Sequence, residues 1–182
     1  AVTVIYSRQH LLEPPYIVRP GDTLEQIADR YQVPPALLAK INGIVDARQV
    51  QTGVELKVLR GPFNALVNLK TKELTLLLHG RYAGRFPFTV GQDAATPEGE
   101  YSIQDKAANP QYVGPGGLID ADDPNNPLGE HLLILENHVK IHGSPARVDP
   151  TNVDPRGSVR LSALDAGDVF DMLTKGSRVT IR

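Results

Sequence analysis

The chain has 182 residues, 41% of them hydrophobic, with 19 Lys and Arg against 21 Asp and Glu for a formal charge of −2. That composition affords a packed core, fits one medium domain or a small domain plus a larger one, and offers no basic surplus for nucleic acid. There is no cysteine, which excludes disulfides, thiolate metal sites and a cysteine nucleophile, and no apolar run approaches the roughly 20 residues of a membrane span.

Taken in chain order, residues 1–15 form an N-terminal segment that starts at Ala1, not methionine. This reads as a processed chain or one cut from something longer. From Tyr16, "YIV" is a short β-rich run, and "RPGD" is a turn in which Gly21 supplies backbone freedom. In "DTLEQIADRY", Thr23 followed three residues later by Gln26 is a capping box at a helix start. Leu24, Ile27, Ala28 and Tyr31 then fall on one helical face. "VPPALLAKING" predicts a second helix, with Pro34 and Pro35 suited to its first turn and Asn42-Gly43 to its C-terminal cap. "GVELKVL" alternates as a strand. Residues 16–60 therefore read as a small strand-helix-helix-strand (βααβ) unit.

A short "RGP" link at 60–62 predicts two domains that touch. From there to residue 182 the pattern is alternating. "FNALVNLK", "ELTLLLHG" and "RYAGRFPFTVG" read as strands, the first two joined by a "TKE" turn, and "TPEGEYSI", "EHLLIL" and "NHVKIHG" continue the β run. Between them, residues 109–129 are rich in Gly, Pro, Asn and Asp, a long loop of the kind that is often functional. "SALDAGDVFDML" predicts one late helix, capped by Ser162 and Asp165, with an apolar face of Leu164, Val169 and Leu173. "KGSRVTIR" predicts a Gly-stopped helix followed by a strand. The fold class is α+β: a small βααβ domain plus a mostly-β sandwich domain with one late helix.

No metal or other cofactor is expected. His138 and His142 on one strand face would stand about 13 Å apart at 3.3 Å per residue, too far for one ion. His10, His79 and His131 have no ligand-spaced partner, and Asp120, Asp122 and Asp123 lack the calcium-loop spacing.

Residues 16–60 resemble the LysM module, carried by "YIVRPGDTLEQIADRYQV", Leu37 or Leu38, Asn42, Ile44 and "GVELKV". The resemblance implies binding to the N-acetylglucosamine of peptidoglycan or chitin. The groove would be formed by Gly21, Asp22 and Thr23 together with Asn42, Gly43 and Ile44.

Residues 62–182 resemble the L,D-transpeptidase catalytic domain, also called the YkuD domain. The resemblance is carried by "VNLKTKELTLLLHGRYAGRFPFTVG", "TPEGEYSI", "IHGS" and "RGSVRLSALDAGDVFDMLTKGSRVTI". The family has a Gly-Cys-x-Arg core. Here Gly157, Val159 and Arg160 stand in place, Ser158 occupies the cysteine position, and Pro155 sits where serine or threonine is usual. The resemblance implies cross-linking of peptidoglycan stem peptides, in which a thiolate attacks a tetrapeptide stem and releases its terminal D-alanine. His142 would be the base and the Gly143 carbonyl its orienting partner. The amides around Gly157 and Ser158 would form the oxyanion hole, and Arg160 would support the turn and meet a substrate carboxylate or nearby carbonyls. The expected partners are glycan strands and stem peptides, and the expected location is the extracytoplasmic bacterial envelope.

Serine changes the chemistry. A cysteine near an imidazolium forms a thiolate at neutral pH. A serine hydroxyl cannot preform an anion and relies on a base whose charged form is stabilised, as the buried carboxylate of a Ser-His-Asp triad does. Oxyanion stabilisation and substrate binding use backbone and shape, so they survive the exchange. Three readings stay open: a peptidoglycan-binding protein impaired in catalysis, a slow serine enzyme, and an engineered cysteine-to-serine knockout of an active transpeptidase. Pro155 leans toward natural divergence.

Overall fold

The computed structural model describes residues 13–46, 50–90, 96–114, 116–145 and 158–182. Its first unit follows the predicted order: β1 (Tyr16–Ile17), α1 (Leu24–Tyr31), α2 (Pro35–Asn42) and β2 (Glu55–Leu56), with Tyr16 opposite Leu56 in an antiparallel pair. Thr23 caps α1 reciprocally. Its hydroxyl accepts from the Gln26 amide at 3.2 Å, and Gln26 Oε1 accepts from the Thr23 amide at 3.1 Å, which satisfies two of the helix's orphan N–H donors at once. Leu24, Ile27 and Ala28 point inward against Leu37 and Leu38 of α2. Gly43 ends α2 at φ 65°, a left-handed conformation that strains any residue with a Cβ.

The second unit contains β3 (Phe63–Asn68), β4 (Glu73–Leu78), β5 (Arg81–Val90), β6 (Gly99–Ala108), β7 (Tyr112–Gly114), β8 (Gly117–Ile119), β9 (His131–Leu135), β10 (Lys140–His142), β11 (Ser158–Leu161), α3 (Ala163–Met172) and β12 (Arg178–Ile181). Eight strands close on themselves in the order β10-β11-β5-β4-β3-β12-β6-β9. Period-2 alternation drives this. Phe63, Ala65 and Val67 of β3 turn inward with Leu74, Leu76 and Leu78 of β4 and Val179 and Ile181 of β12. β7 and β8 form a separate hairpin inside the stretch expected as a plain loop. Asn126, 1% exposed, pins the base of that stretch. Its amide donates to the carbonyls of Pro110 (2.7 Å) and Asp120 (3.2 Å), and its oxygen accepts from the Leu128 amide (3.0 Å).

Three local expectations are corrected. The buried face of α3 is Ala166, Val169 and Met172, with Leu173 just beyond, while Leu164 is 86% exposed. Leu164 precedes Ala166 by two residues, about 200° around the helix, so once Ala166 and Val169 face the strands, Leu164 faces solvent. Gly176, at φ 83°, is not the helix stop: α3 ends at Met172, Leu173 is already extended, and Gly176 turns the chain into β12. His138 does not share a strand with His142. It closes a 3-10 turn, Glu136–His138, with φ 61°.

The two units touch, as the short link predicts. Lys40 of α2 bridges Asp168 (2.8 Å) and Asp171 (3.2 Å) of α3, and one apolar cluster runs from Leu37 through Leu59 to Phe63.

Lys106 of β6 closes the far end of α3. Its ammonium donates to the carbonyls of Phe170 (2.5 Å) and Leu173 (2.6 Å) and lies 4.2 Å from the centroid of the Phe170 ring. Burial pulls its pKa from the ordinary 10.5 down to about 8, with the Asp171 charge opposing. Below pH 8 native and unfolded chains both hold this proton. Between about 8 and 10.5 the native chain releases it first, so stability rises with pH across that window. Thermal melts from pH 7.5 to 9.5 should show this rise in the parent and a flatter profile in Lys106→Met. Identical slopes in the two proteins would refute the assignment.

Candidate functional site

β10 and β11 run parallel, with Lys140 opposite Ser158, Ile141 opposite Val159 and His142 opposite Arg160. Ile141 and Val159 are buried on the core side. Because successive side chains alternate, Lys140, His142, Ser158 and Arg160 share the other face. His142 and Ser158 stand diagonally on it, with Cα atoms about 8 Å apart from a strand spacing of roughly 4.8 Å and two residues of rise. Both are enclosed, at 1% and 0% exposure.

His142 Nδ1 lies 2.7 Å from the Gly143 carbonyl oxygen. A carbonyl only accepts, so Nδ1 carries the hydrogen, and in the neutral ring the basic lone pair is on Nε2. Gly143 is itself held. Its amide donates to the His131 carbonyl at 3.0 Å, and a Cβ there would come within 3.3 Å of the Ala166 Cβ. The loop after β8 presses on the same place: Gly129 sits at φ 63°, and a Cβ on it would lie 2.6 Å from the Ser144 carbonyl oxygen. Ser144 Oγ in turn donates to the Leu161 carbonyl at 2.7 Å. The strand end bearing His142 is thus fixed from three sides. Behind it, towards α3, lies an apolar crevice lined by His131, Leu133, Ile141, Leu161, Val169 and Phe170.

The hydroxyl of buried Thr96 points at the Ser158 carbonyl at 3.5 Å. Arg160 Nε donates to Thr89 Oγ1 on β5 at 3.1 Å, which ties this guanidinium to the neighbouring strand. Gly157 and Pro155 lie outside the described residues. Chemically, the arrangement offers an imidazole of fixed tautomer, a hydroxyl and two cationic side chains on one face. Among the described residues no group of three His, Asp or Glu is placed to hold a metal.

In the small unit, the residues expected to line a sugar groove are occupied by structural bonds. The Asp22 carboxylate accepts from Tyr16 Oη (2.7 Å) and the Arg19 amide (2.8 Å), and these bonds hold its pKa below the ordinary value, that of Tyr16 first. Thr23 caps α1. Asn42 donates to the carbonyls of Leu38 and Lys57, both at 2.9 Å, and accepts from the Lys57 amide at 2.7 Å. Gly21 is left-handed at φ 84°, and the Ile44 amide donates to Ala39. A groove here would present main chain more than these side chains. Sequence reasoning missed Lys140, Thr96, Asn126 and Gly129. Only Gly129 had a usable signal, as a glycine closing a turn-rich loop.

Residues 62–181 match the family described as the L,D-transpeptidase catalytic domain, YkuD, and residues 16–58 match the LysM domain. The chain is 29% identical over 175 residues to a Bacillus subtilis protein named "Putative L,D-transpeptidase YkuD", covering 91% of this chain and 97% of that one. It is also 29% identical over 130 residues to "Putative L,D-transpeptidase YqjB" of the same organism, covering 68% and 73%. A cysteine-to-serine mutant of an Enterococcus faecium L,D-transpeptidase superposes with a TM-score of 0.53 at 18% identity, covering 72% of this chain and 54% of that one. An L,D-transpeptidase from Mycobacterium tuberculosis H37Rv gives 0.53 at 15%, covering 72% and 63%. These two solved structures show the fold, and the chain spans between half and two thirds of their length.

Proposed function

The chain belongs to the L,D-transpeptidase catalytic domain family, YkuD, with a LysM domain ahead of it, and from that premise we propose that it is an extracytoplasmic peptidoglycan-binding protein whose stem-peptide site is impaired by serine at the nucleophile position. The supporting observation is the parallel register that puts Ser158 and His142 on one face, with the Gly143 carbonyl behind the imidazole. In the proposed mechanism His142 Nε2 takes the Ser158 proton as Oγ attacks the stem carbonyl, and the amides at the start of β11 hold the developing oxyanion. The imidazolium then passes its proton to the departing D-alanine amine. A carbonyl stabilises that imidazolium less than a carboxylate does, so the serine form acylates slowly. D-alanine release from a tetrapeptide stem tests the reading, and turnover in the ordinary enzymic range of about 1 per second or faster by the serine form would overturn the impairment.

A second reading, an active L,D-transpeptidase carrying serine by substitution, is supported by the surroundings of Ser158: His142 and Arg160 share its face, and the Gly143 carbonyl holds the imidazole.

Cell-wall association fits both domains. Among the described residues no helix is long and apolar enough to cross a membrane. The full chain is expected to pellet with insoluble peptidoglycan, with soluble N-acetylglucosamine oligomers displacing it and nucleic acid failing to compete. A chain that stays in the supernatant at every ionic strength would sink the glycan-binding half of the proposal.

A further inference from the structure

We propose that Lys140 is a specificity-determining residue of this site, its ammonium taking the terminal carboxylate of the donor stem peptide; the inference rests on the stem-peptide reading above. Lys140 is directly opposite Ser158 in the parallel pair, one strand spacing of about 4.8 Å away, on the face shared with His142 and Arg160. The four residues make a rectangle. The hydroxyl and the imidazole lie on one diagonal and the two cations on the other.

The two cations are not equivalent. Arg160 is tied to Thr89 on the β5 side. Lys140 faces Ile134 on its other flank, and among the described residues no carboxylate or carbonyl holds its ammonium. It is nonetheless half-buried. Its stem lies beside an isoleucine and, among the described residues, the fold offers its ammonium no anion, so an anionic ligand would meet an available charge-assisted donor.

Stem-peptide chemistry supplies that anion at the right range. The residue released from the donor ends in a carboxylate one Cα beyond the scissile nitrogen, within about 4 Å of it. With the scissile carbonyl over Ser158 Oγ, this carboxylate falls inside the reach of a lysine rooted on the adjacent strand. An ammonium there holds the leaving residue before and during acylation alike, so it contributes to binding more than to the chemical step.

The test is calorimetric titration of the full chain with a synthetic tetrapeptide stem ending in D-alanine and with its C-terminal amide. The parent should bind the acid at least about 10-fold more tightly than the amide, the usual discrimination from one charge-assisted hydrogen bond. Lys140→Met should bind both peptides like the amide, with an unchanged melting temperature, and Lys140→Arg should keep the preference. In a Ser158→Cys background, Lys140→Met should raise KM about 10-fold with kcat little changed. A Lys140→Met protein that still prefers the acid would overturn the proposal and place the carboxylate elsewhere. If neither peptide binds the parent while the cysteine form releases D-alanine, the carboxylate contact falls and the stem-peptide reading stands. If cysteine variants are also inert, both fall.

Discussion

Ser158→Cys is expected to raise D-alanine release from a tetrapeptide stem by a factor on the order of 100 or more over the serine parent. The reason lies in the distribution of charge along the attack. With serine, the proton leaves Oγ only as the carbonyl bond forms, and the imidazolium that develops is held at Nδ1 by the neutral Gly143 carbonyl. With cysteine, the thiolate exists before substrate arrives, and the imidazolium stabilises it. The rest of the arrangement stays as it is, since the strand register and the fixed His142 tautomer do not depend on the atom at position 158. His142→Gln in the cysteine background should remove the gain. Pro155 lies three residues ahead of Ser158 in the sequence, so the double variant Ser158→Cys with Pro155→Ser is measured alongside. If neither cysteine protein exceeds the serine parent, the assignment of Ser158 to the nucleophile position is wrong.

The second large effect is on stability, at the junction of the two units. Gly61 lies against the end of α1, its amide donating to the Tyr31 carbonyl at 2.8 Å. A Cβ at Gly61 would sit 2.0 Å from the Gln32 carbonyl oxygen and 3.2 Å from Val33 Cγ1. The oxygen is main chain at the left-handed C-cap of α1, with φ 56°, so no rotamer change relieves the overlap. Gly61→Ala must shift either the link or the helix end, at a cost of about 3 kcal/mol. For a chain of this size that lowers the melting temperature by roughly 6–12 °C. The same shift loosens the Lys40 bridge to Asp168 and Asp171, so limited proteolysis near the link should accelerate. A melting temperature within 2 °C of the parent would show that the close approach is not maintained in solution.

What the sequence determined by itself is what depends on near neighbours. Thr23 and Gln26 start a helix, Pro35 opens the next, Gly43 stops it and Ser162 opens the third, because each bond they make closes within a few residues. The inward sets of β3 and β4 were legible for the same reason: alternation is a property of one strand. His142, Gly143, Ser158 and Arg160 were found as a motif, and Gly143 does hold the imidazole, a contact between adjacent residues.

Tertiary structure decided everything that requires two distant segments to meet. Leu164 lost its predicted place in the core because the strands, not the helix, choose which side of α3 is covered. Asn42 reads in sequence as both a cap and a sugar contact, and its three bonds to Leu38 and Lys57 commit the side chain to joining α2 to the chain beyond β2. Lys140 carried no signal at all. Its place beside Ser158 follows from a parallel register between β10 and β11, and a shift of one residue would have turned Lys140 and His142 to the opposite face from Ser158. No periodicity within either strand encodes that register. It is set by Ile141 and Val159 meeting in the core, a packing choice made across the whole barrel.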